Sequence, residues 1–155
     1  MSFGNKAAGI DAPRILDEIE KTVYAVLKPH GFRKHGRTLH RFVSGDISQV
    51  INFQLGQSYA GNTHMFSVNI GIRVPECVLR SFQSEDKLKK YYHEYECNLR
   101  SRLGTVENRK EDWYDLRNPA ADIAEDIVRQ IRDIVLPAFE TLSSRENILA
   151  HRREY

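Results

Sequence analysis

The strongest constraint on the fold of this chain is an unbroken alternation between residues 65 and 74. Every second residue is large and apolar: Phe66, Val68, Ile70, Ile72 and Val74. Most of the residues between them, from Met65 to Arg73, are small or polar. A period of two is typical of a β-strand with one buried face. The pattern therefore predicts a sheet with one face in the core and the other face open.

A second strand, Ile47 to Leu55, is predicted to pair antiparallel with the first across a loop at residues 56–63. One register pairs apolar residues with apolar residues on one face and polar residues with polar residues on the other. It places Phe53 opposite Val68, Ile51 opposite Ile70, Asn52 opposite Asn69 and Gln54 opposite Ser67. A shift by one residue would mix apolar and polar positions. The agreement of both faces favours this hairpin and this register.

A further strand is predicted from Thr38 to Val43, before the turn Ser44-Gly45-Asp46. Its facing stays open at this point. A three-residue turn places Leu39 and Val43 in the core, with His40 and Phe42 on the open face, and a two-residue turn reverses this arrangement. Only the first alternative gives the open face an aromatic surface for stacking.

A fourth strand is predicted from Glu96 to Gly104. Its alternation places Cys97, Leu99 and Leu103 on the core side, and Asn98, Arg100 and Arg102 on the open side. Because the apolar face of a sheet must be covered, the helical segments at the two ends of the chain are assigned to that face.

Two segments have helical periodicity. The first covers about residues 12–28, with Asp11 as its cap and Pro13 in its first turn. The last begins at Asn118-Pro119 and must be kinked or interrupted at Pro137. The predicted fold class is α+β, a single antiparallel sheet of about four strands with an N-terminal and a C-terminal helix packed on one face.

The length and composition fit one globular domain. The chain has 155 residues, of which 41% are hydrophobic and 28% are charged. We expect a flexible N-terminus at residues 1–11, a single α+β domain at 12–143 and a polar C-terminal extension at 144–155. The formal net charge of +2 disfavours duplex DNA as a partner. The pattern does not distinguish a monomer from a dimer.

The chain carries no recognisable targeting or membrane signal. Met1 to Lys6 are not followed by the apolar stretch of a signal peptide, and no segment approaches the ~20 apolar residues of a membrane-spanning helix. Cys77 and Cys97 form no Cys-x-x-Cys pair, so both are expected to be reduced thiols. We expect a cytoplasmic protein that does not associate with membranes.

The open face of the sheet is the candidate binding surface. Its ligand-binding candidates are amides and guanidinium groups without a carboxylate among them: Asn52, Gln54, Asn69, Arg73, Asn98, Arg100 and Arg102. Such donors suit carboxylate or phosphate. A solvated sheet face accounts for the same pattern. Both interpretations stay open from the sequence.

Other polar clusters in the sequence give weaker support for a functional site than the open face does. The segment from Lys28 to Arg41 contains five Lys or Arg and three His but no acid, and the sequence favours an ordinary connection here over a basic binding rim. His93 and Cys97 have the spacing of metal ligands on a helix, but Cys97 is predicted in a strand, so neither a metal site nor a cofactor is expected. Trp113 is interpreted as a core or lid residue rather than a ligand platform.

Several ordered motifs resemble one known family. They include Gly31-Phe32-Arg33-Lys34, Ile51-Asn52-Phe53-Gln54, Phe66-Ser67-Val68-Asn69-Ile70-Gly71, Cys97-Asn98-Leu99-Arg100-Ser101-Arg102-Leu103-Gly104, Asp112-Trp113-Tyr114-Asp115-Leu116 and Leu136-Pro137. Over most of residues 12–142 the chain resembles a bacterial family catalogued as domain of unknown function 4304. Asn98 departs from the His of that pattern, and Tyr114 from a second Trp. The resemblance implies a bacterial, cytosolic α+β protein and brings no established activity.

Three functions remain as hypotheses. The first is a non-catalytic binding or interaction domain, immunity-like or regulatory, with an unknown protein partner. The alternative is a binder of a small anionic ligand or single-stranded nucleic acid through the open basic face. A hydrolase-type enzyme has the least support, because its general base would have to be His40 or come from the cluster Glu111, Asp112 and Asp115, and no motif assigns catalytic residues.

Overall fold

A computed structural model describes residues 6–7, 9–56, 63–76, 89–106 and 113–153 of the chain. The N-terminal strands β1 (Lys6–Ala7) and β2 (Ile10–Asp11) pair with each other and with no other described strand. The main sheet comprises β3 (Arg33–His35), β4 (Thr38–Val43), β5 (Ile47–Leu55), β6 (Met65–Arg73), β7 (Leu99–Arg102) and β8 (Trp113–Asp115). Its order is β3-β4-β5-β6-β7, with β8 also paired to β6, and every pairing is antiparallel. The α+β class is confirmed, and β3 and β8 add to the four predicted strands.

The first helix, α1 (Ala12–Leu27), begins and ends close to the predicted positions. The Asp11 side chain caps it by accepting a hydrogen bond from the Arg14 backbone N–H at 3.4 Å. The helix continues into a 3₁₀ turn, Lys28–His30, and stops at Gly31, whose φ of +89° suits a residue without a Cβ.

The C-terminal helical region is interrupted just before Pro137, as predicted. After the short helix α2 (Leu103–Val106), helix α3 (Ala120–Gln130) runs into a π-helical turn at Ile131–Val135. Helix α4 (Leu136–Thr141) follows, with Pro137 in its first turn. Because proline lacks an N–H and its ring crowds the preceding turn, the regular hydrogen-bond ladder cannot continue through it. A final helix, α5 (Arg145–Arg153), buries Ile148 in the core.

The predicted register of the central hairpin is confirmed. Phe53 lies opposite Val68 and Asn52 opposite Asn69. Between β4 and β5 the pairing of Val43 with Ile47 leaves a three-residue turn, which resolves the facing of β4. Leu39 and Val43 therefore lie on the core side, and His40 and Phe42 lie on the opposite face.

Both long helices pack on the same face of the sheet, as predicted. Buried side chains from α1 and from the region of α3 to α4 join those of the central strands in one core, which includes Leu16, Ile19, Val23, Leu39, Ile51, Phe53, Val68, Ile70, Ile127, Ile131, Val135 and Phe139. Burial of this apolar surface is the main favourable term in folding. Among the described helices, none is both long and apolar enough to cross a bilayer.

The opposite face is not open along its whole length, which corrects the sequence prediction. Residues 89–98, named here the covering segment, lie on the end of that face formed by Phe42, Gly71 and Arg73. The Tyr92 ring lies over the Arg73 guanidinium at 3.8 Å and meets the Phe42 ring edge-on at 6.1 Å. Phe42 and the small residue Gly71 give the covering segment an apolar surface to bury and room to approach.

The observed position of Cys97 explains why the covering segment was not predicted from the sequence. The strand begins at Leu99, not at Glu96, because a 3₁₀ turn at Glu94–Glu96 precedes it. The Cys97 side chain consequently packs against Gly71 on the second face instead of joining Leu99 on the core side. Burial raises the pKa of the Cys97 thiol to about 12, so the thiol is protonated at neutral pH.

Gln49 is a polar residue in the middle of the core face. It is fully buried, its amide nitrogen donates to the Phe139 carbonyl at 2.7 Å, and its amide oxygen accepts from Arg41 Nε at 2.7 Å. The side chain thus joins the sheet to the end of α4. Since a buried polar group without a partner is costly, both bonds hold the C-terminal region in place.

We expect Gln49→Leu to lower the free energy of unfolding by about 2 kcal/mol, because the Phe139 carbonyl loses its buried donor. Urea denaturation measures this change. The matched control is Asn147→Leu, because Asn147 is an exposed amide on α5, and this change is expected to alter stability by less than about 1 kcal/mol. Equal losses in the two variants would contradict the assigned role of Gln49.

Candidate ligand-binding surface

The structure divides the seven predicted ligand-binding residues into two groups. Asn52, Gln54, Asn69 and Arg102 lie together on the second face of β5, β6 and β7. Arg73, Asn98 and Arg100 lie at the other end of that face, at or under the covering segment. Only the first group forms a coherent candidate surface.

The amides of the first group bind one another. Asn69 Nδ2 donates to Asn52 Oδ1 at 3.2 Å and to Gln54 Oε1 at 2.9 Å. Asn52 Nδ2 in turn donates to Thr38 Oγ1 at 3.2 Å. Among the described residues, the Gln54 amide nitrogen and the Asn69 amide oxygen have no hydrogen-bond partner. The ladder therefore fixes the side chains and leaves the exposed Gln54 amide nitrogen as a donor for a ligand, whereas Asn69 is buried.

Arg102 adds a cation to this ladder. It lies opposite Asn69, and its Cζ is 5.0 Å from the centre of the Trp113 ring. No carboxylate of the described residues forms an ion pair with it. Stacking on the ring holds the guanidinium while its N–H donors stay available, and a planar fork of donors suits carboxylate or phosphate. Asn52, Gln54, Asn69, Arg102 and Trp113 are named here the Arg102 surface.

Trp113 is the member of this surface that sequence reasoning assigned elsewhere. It is half-buried, and β8 places it opposite Ser67 on β6. That pairing brings its ring to the edge of the sheet beside Arg102. The short three-residue strand gives no clear alternation in the sequence, so the position of the ring could not be predicted from periodicity.

The covering segment contacts the Arg73 side chain and shields it from solvent. This side chain is only 2% exposed, and the Tyr92 ring covers the guanidinium. The contact is a cation–π interaction in a desolvated site. The arrangement gives Arg73 a structural role in holding the covering segment.

Arg100 and Asn98 also have partners within the fold. Arg100 forms a bidentate pair with Glu94, at 2.7 Å from Nε and 3.2 Å from Nη2, and this bond raises the pKa of the guanidinium further. Asn98 Oδ1 accepts a hydrogen bond from the Val74 backbone N–H at 2.7 Å, where β6 ends. A ligand at either residue would compete with these bonds.

The basic segment before β5 is also paired. Lys34 lies 2.9 Å from Glu20, and Arg37 lies 3.1 Å from Asp17, both carboxylates on α1. Arg41 lies 3.1 Å from Glu140 on α4. These pairs favour the ordinary connection over a basic rim, because their positive charge is already balanced within the fold.

The described residues that were considered as a general base, His40 and Asp115, are poorly suited to that role. His40 is 3% exposed, and burial lowers its pKa to about 4. Hydrogen bonds from Arg117 lower the pKa of Asp115 to about 2. Its predicted neighbours Glu111 and Asp112, like Cys77, lie outside the described residues. A general base at neutral pH needs a pKa nearer the working pH and access to substrate, and neither described group offers both.

The described residues contain no group of three or more His, Cys, Asp or Glu side chains placed to hold a metal ion. His93 and Cys97 contact each other differently, since the Cys97 thiol donates to the His93 backbone carbonyl at 3.6 Å. The arrangement at the Arg102 surface is chemically suited to binding through hydrogen bonds and charge.

Comparisons with known proteins agree with the resemblance seen in the motifs. No curated protein and no solved structure matches the chain. A family described as Domain of unknown function (DUF4304) matches residues 23–141, which include α1 from Val23, the whole main sheet and the helices as far as α4. Because this match covers most of the chain, the protein belongs to the DUF4304 family.

Proposed function

We propose that the protein is a non-catalytic binding domain that holds an anionic group, a carboxylate or a phosphate, at the Arg102 surface. The observation that carries the proposal is the stacking of Arg102 on Trp113 beside the amide ladder, without an ion pair to any described carboxylate. The role we assign is that of an interaction or regulatory domain of a bacterial, cytoplasmic protein.

The contrast among the three arginines supports this choice. Arg73 lies beneath Tyr92 and Arg100 is paired with Glu94, whereas Arg102 has no carboxylate partner among the described residues and the neighbouring ladder leaves the Gln54 amide nitrogen as a further donor. A charge-assisted bond to a guanidinium is about twice as strong as a neutral one, so an anion gains most at Arg102.

We expect acetate and inorganic phosphate to bind the wild-type chain weakly and to shift the backbone amide resonances of β6 and β7 in NMR titrations. Arg102→Ala should weaken this binding by about tenfold, since a lost charge-assisted hydrogen bond costs about 1.5–3 kcal/mol. Arg132→Ala is the matched control, because Arg132 is an exposed arginine on the π-helical turn, away from the sheet face.

Unchanged anion binding in Arg102→Ala would refute the proposal, as would an equal loss in Arg132→Ala. A single-stranded thymidine oligonucleotide provides the second arm of the experiment. Since the Trp113 ring already stacks with Arg102, we expect the oligonucleotide to bind no more tightly than its phosphate charge explains. A marked preference for the oligonucleotide with quenching of Trp113 fluorescence would favour nucleic acid instead.

A further inference from the structure

We propose that the outer edge of β7 accepts an extended acidic peptide of a partner protein as an additional strand of the sheet. The inference rests on the proposed function, because Arg102 is both the anion-binding residue and the last residue of this strand. It adds the kind of partner and the way in which the partner docks.

The outer edge of β7 is suited to binding a peptide backbone in extended conformation. β7 is the last strand of the sheet order, and within the described part of the chain it pairs with β6 alone. The backbone N–H and C=O groups on its outer side therefore meet no other described strand. Such an edge is a template for a further strand, whose main-chain hydrogen bonds supply the affinity.

A groove on the core face lies directly beside this edge. Its volume is about 640 Å³, and the sheet contributes Leu99, Ser101 and Ile72 to its lining. The opposite wall is formed by Val135, Ala138 and Leu142 at the C-terminal helices. Because an added strand turns every second side chain to this face, those side chains would enter the groove, and apolar ones would fit it best.

The other face of β7 favours acidic residues in the partner peptide. Arg100 and Arg102 alternate with Leu99 and Ser101, so both guanidinium groups lie on the face away from the groove. Arg100 is already paired with Glu94, so the charge offered to a partner is that of Arg102, which has no carboxylate partner among the described residues. Side chains directly opposite each other on adjacent strands lie about 5 Å apart, within reach of an ion pair. The partner that fits both faces is an extended segment in which apolar and acidic residues alternate.

A second copy of this chain fits the edge less well. β7 contains Arg100 and Arg102 but no acidic residue, so a second copy that pairs through the same strand places no carboxylate of that strand opposite Arg102. Like charges placed directly opposite each other destabilise a strand pair. The charge pattern therefore favours an acidic partner over self-association.

The test uses a short fluorescent peptide of alternating valine and glutamate, titrated into the full chain and followed by fluorescence anisotropy. We expect it to bind, and we expect Ala138→Phe to weaken binding about tenfold by filling the groove. A peptide N-methylated at alternate residues keeps the charges but lacks the main-chain donors, and it should bind at least tenfold more weakly.

Charge exchange completes the test. The variant Arg102→Glu should lose the valine–glutamate peptide and gain a valine–lysine peptide of the same length. Equal binding of the plain and N-methylated peptides overturns strand addition. A dimer that disappears in Arg102→Glu overturns the choice of partner.

Acetate titrations of the same variants separate the two proposals. If Ala138→Phe binds acetate like the wild type and the wild type does not bind the plain peptide, strand addition is wrong and anion binding stands. If acetate does not bind at Arg102 in the wild type, the proposed function is itself wrong.

Discussion

Gly71→Val is expected to lower the free energy of unfolding by about 3 kcal/mol, near the upper end of overpacking substitutions. A Cβ placed on Gly71 would lie 2.7 Å from Cys97 Sγ and 2.8 Å from Cys97 Cβ. Real carbon atoms do not approach so closely, and Cys97 is 8% exposed, so the thiol cannot simply turn away into solvent. Either the covering segment shifts or β6 bends, and both changes reduce the burial of Tyr92.

Urea denaturation of four chains, namely the wild type, Gly71→Val, Cys97→Gly and the double variant, measures this effect as a double-mutant cycle. Removing the Cys97 side chain makes room for the valine, so the two substitutions should compensate by about 1–2 kcal/mol. Additive losses would show that the two side chains do not compete for the same space. That result would contradict the close packing of the covering segment on the sheet.

Alternation and capping made much of the fold predictable. The four alternating large apolar residues of β6, from Phe66 to Ile72, and the matching residues of β5 admit one register, since a slip by one position would expose the core face. Asp11 and Pro13 set the beginning of α1, and Pro137 sets the end of the regular helix before it. These features depend on neighbours in sequence or on a strict period, which a single sequence displays.

The covering segment could not be predicted in the same way. Its contacts join Tyr92 to Arg73, Cys97 to Gly71 and Glu94 to Arg100, and none of these pairs follows a helical or strand period. Gly71 held the one available hint, because a glycine inside an otherwise bulky strand often marks a close approach. The covering segment contacts Arg73 and Arg100, whereas Arg102 contacts Trp113. Because these contacts could not be predicted, the sequence analysis predicted all three arginines as ligand-binding residues.

The turn between β4 and β5 shows the same limit on a smaller scale. Two turn lengths fitted Ser44-Gly45-Asp46, and each gave β4 a different facing. The three-residue turn holds Ser44 and Gly45 at φ values of +50° and +85°. Glycine adopts such values freely and serine only at some cost, so composition alone did not decide between the two turns.

His40 should make the protein less stable as the pH falls, by about 3 kcal/mol in total. The ring is 3% exposed, and neither of its nitrogens has a hydrogen-bond partner in the part of the chain that the structure describes. It packs in tilted geometry against the rings of His35 at 4.9 Å and Tyr91 at 5.5 Å, and it lies opposite Arg33 on β3. Burial first, and then the charges of His35 and Arg33, lower its pKa from 6.5 to about 4.

The direction of the effect follows from proton binding. Between pH 6.5 and about 4 the unfolded chain binds a proton at His40 and the folded chain does not, so acidification favours unfolding across this window. The stabilising difference is complete above pH 6.5 and is lost by the time the pH falls below about 4. Phenylalanine keeps an aromatic ring at this position and cannot titrate, so His40→Phe should lack this part of the pH dependence.

Urea denaturation at a series of pH values, compared between wild type and His40→Phe, isolates the histidine because the carboxylates titrate in both proteins. The matched control is His30→Phe, the same substitution at an exposed histidine. Parallel stability curves for wild type and His40→Phe would mean that the buried ring accepts a proton without loss. The ring would then have to leave its place between β3 and the covering segment on protonation, and a resonance of His40 titrating near its ordinary pKa of 6.5 would report that movement directly.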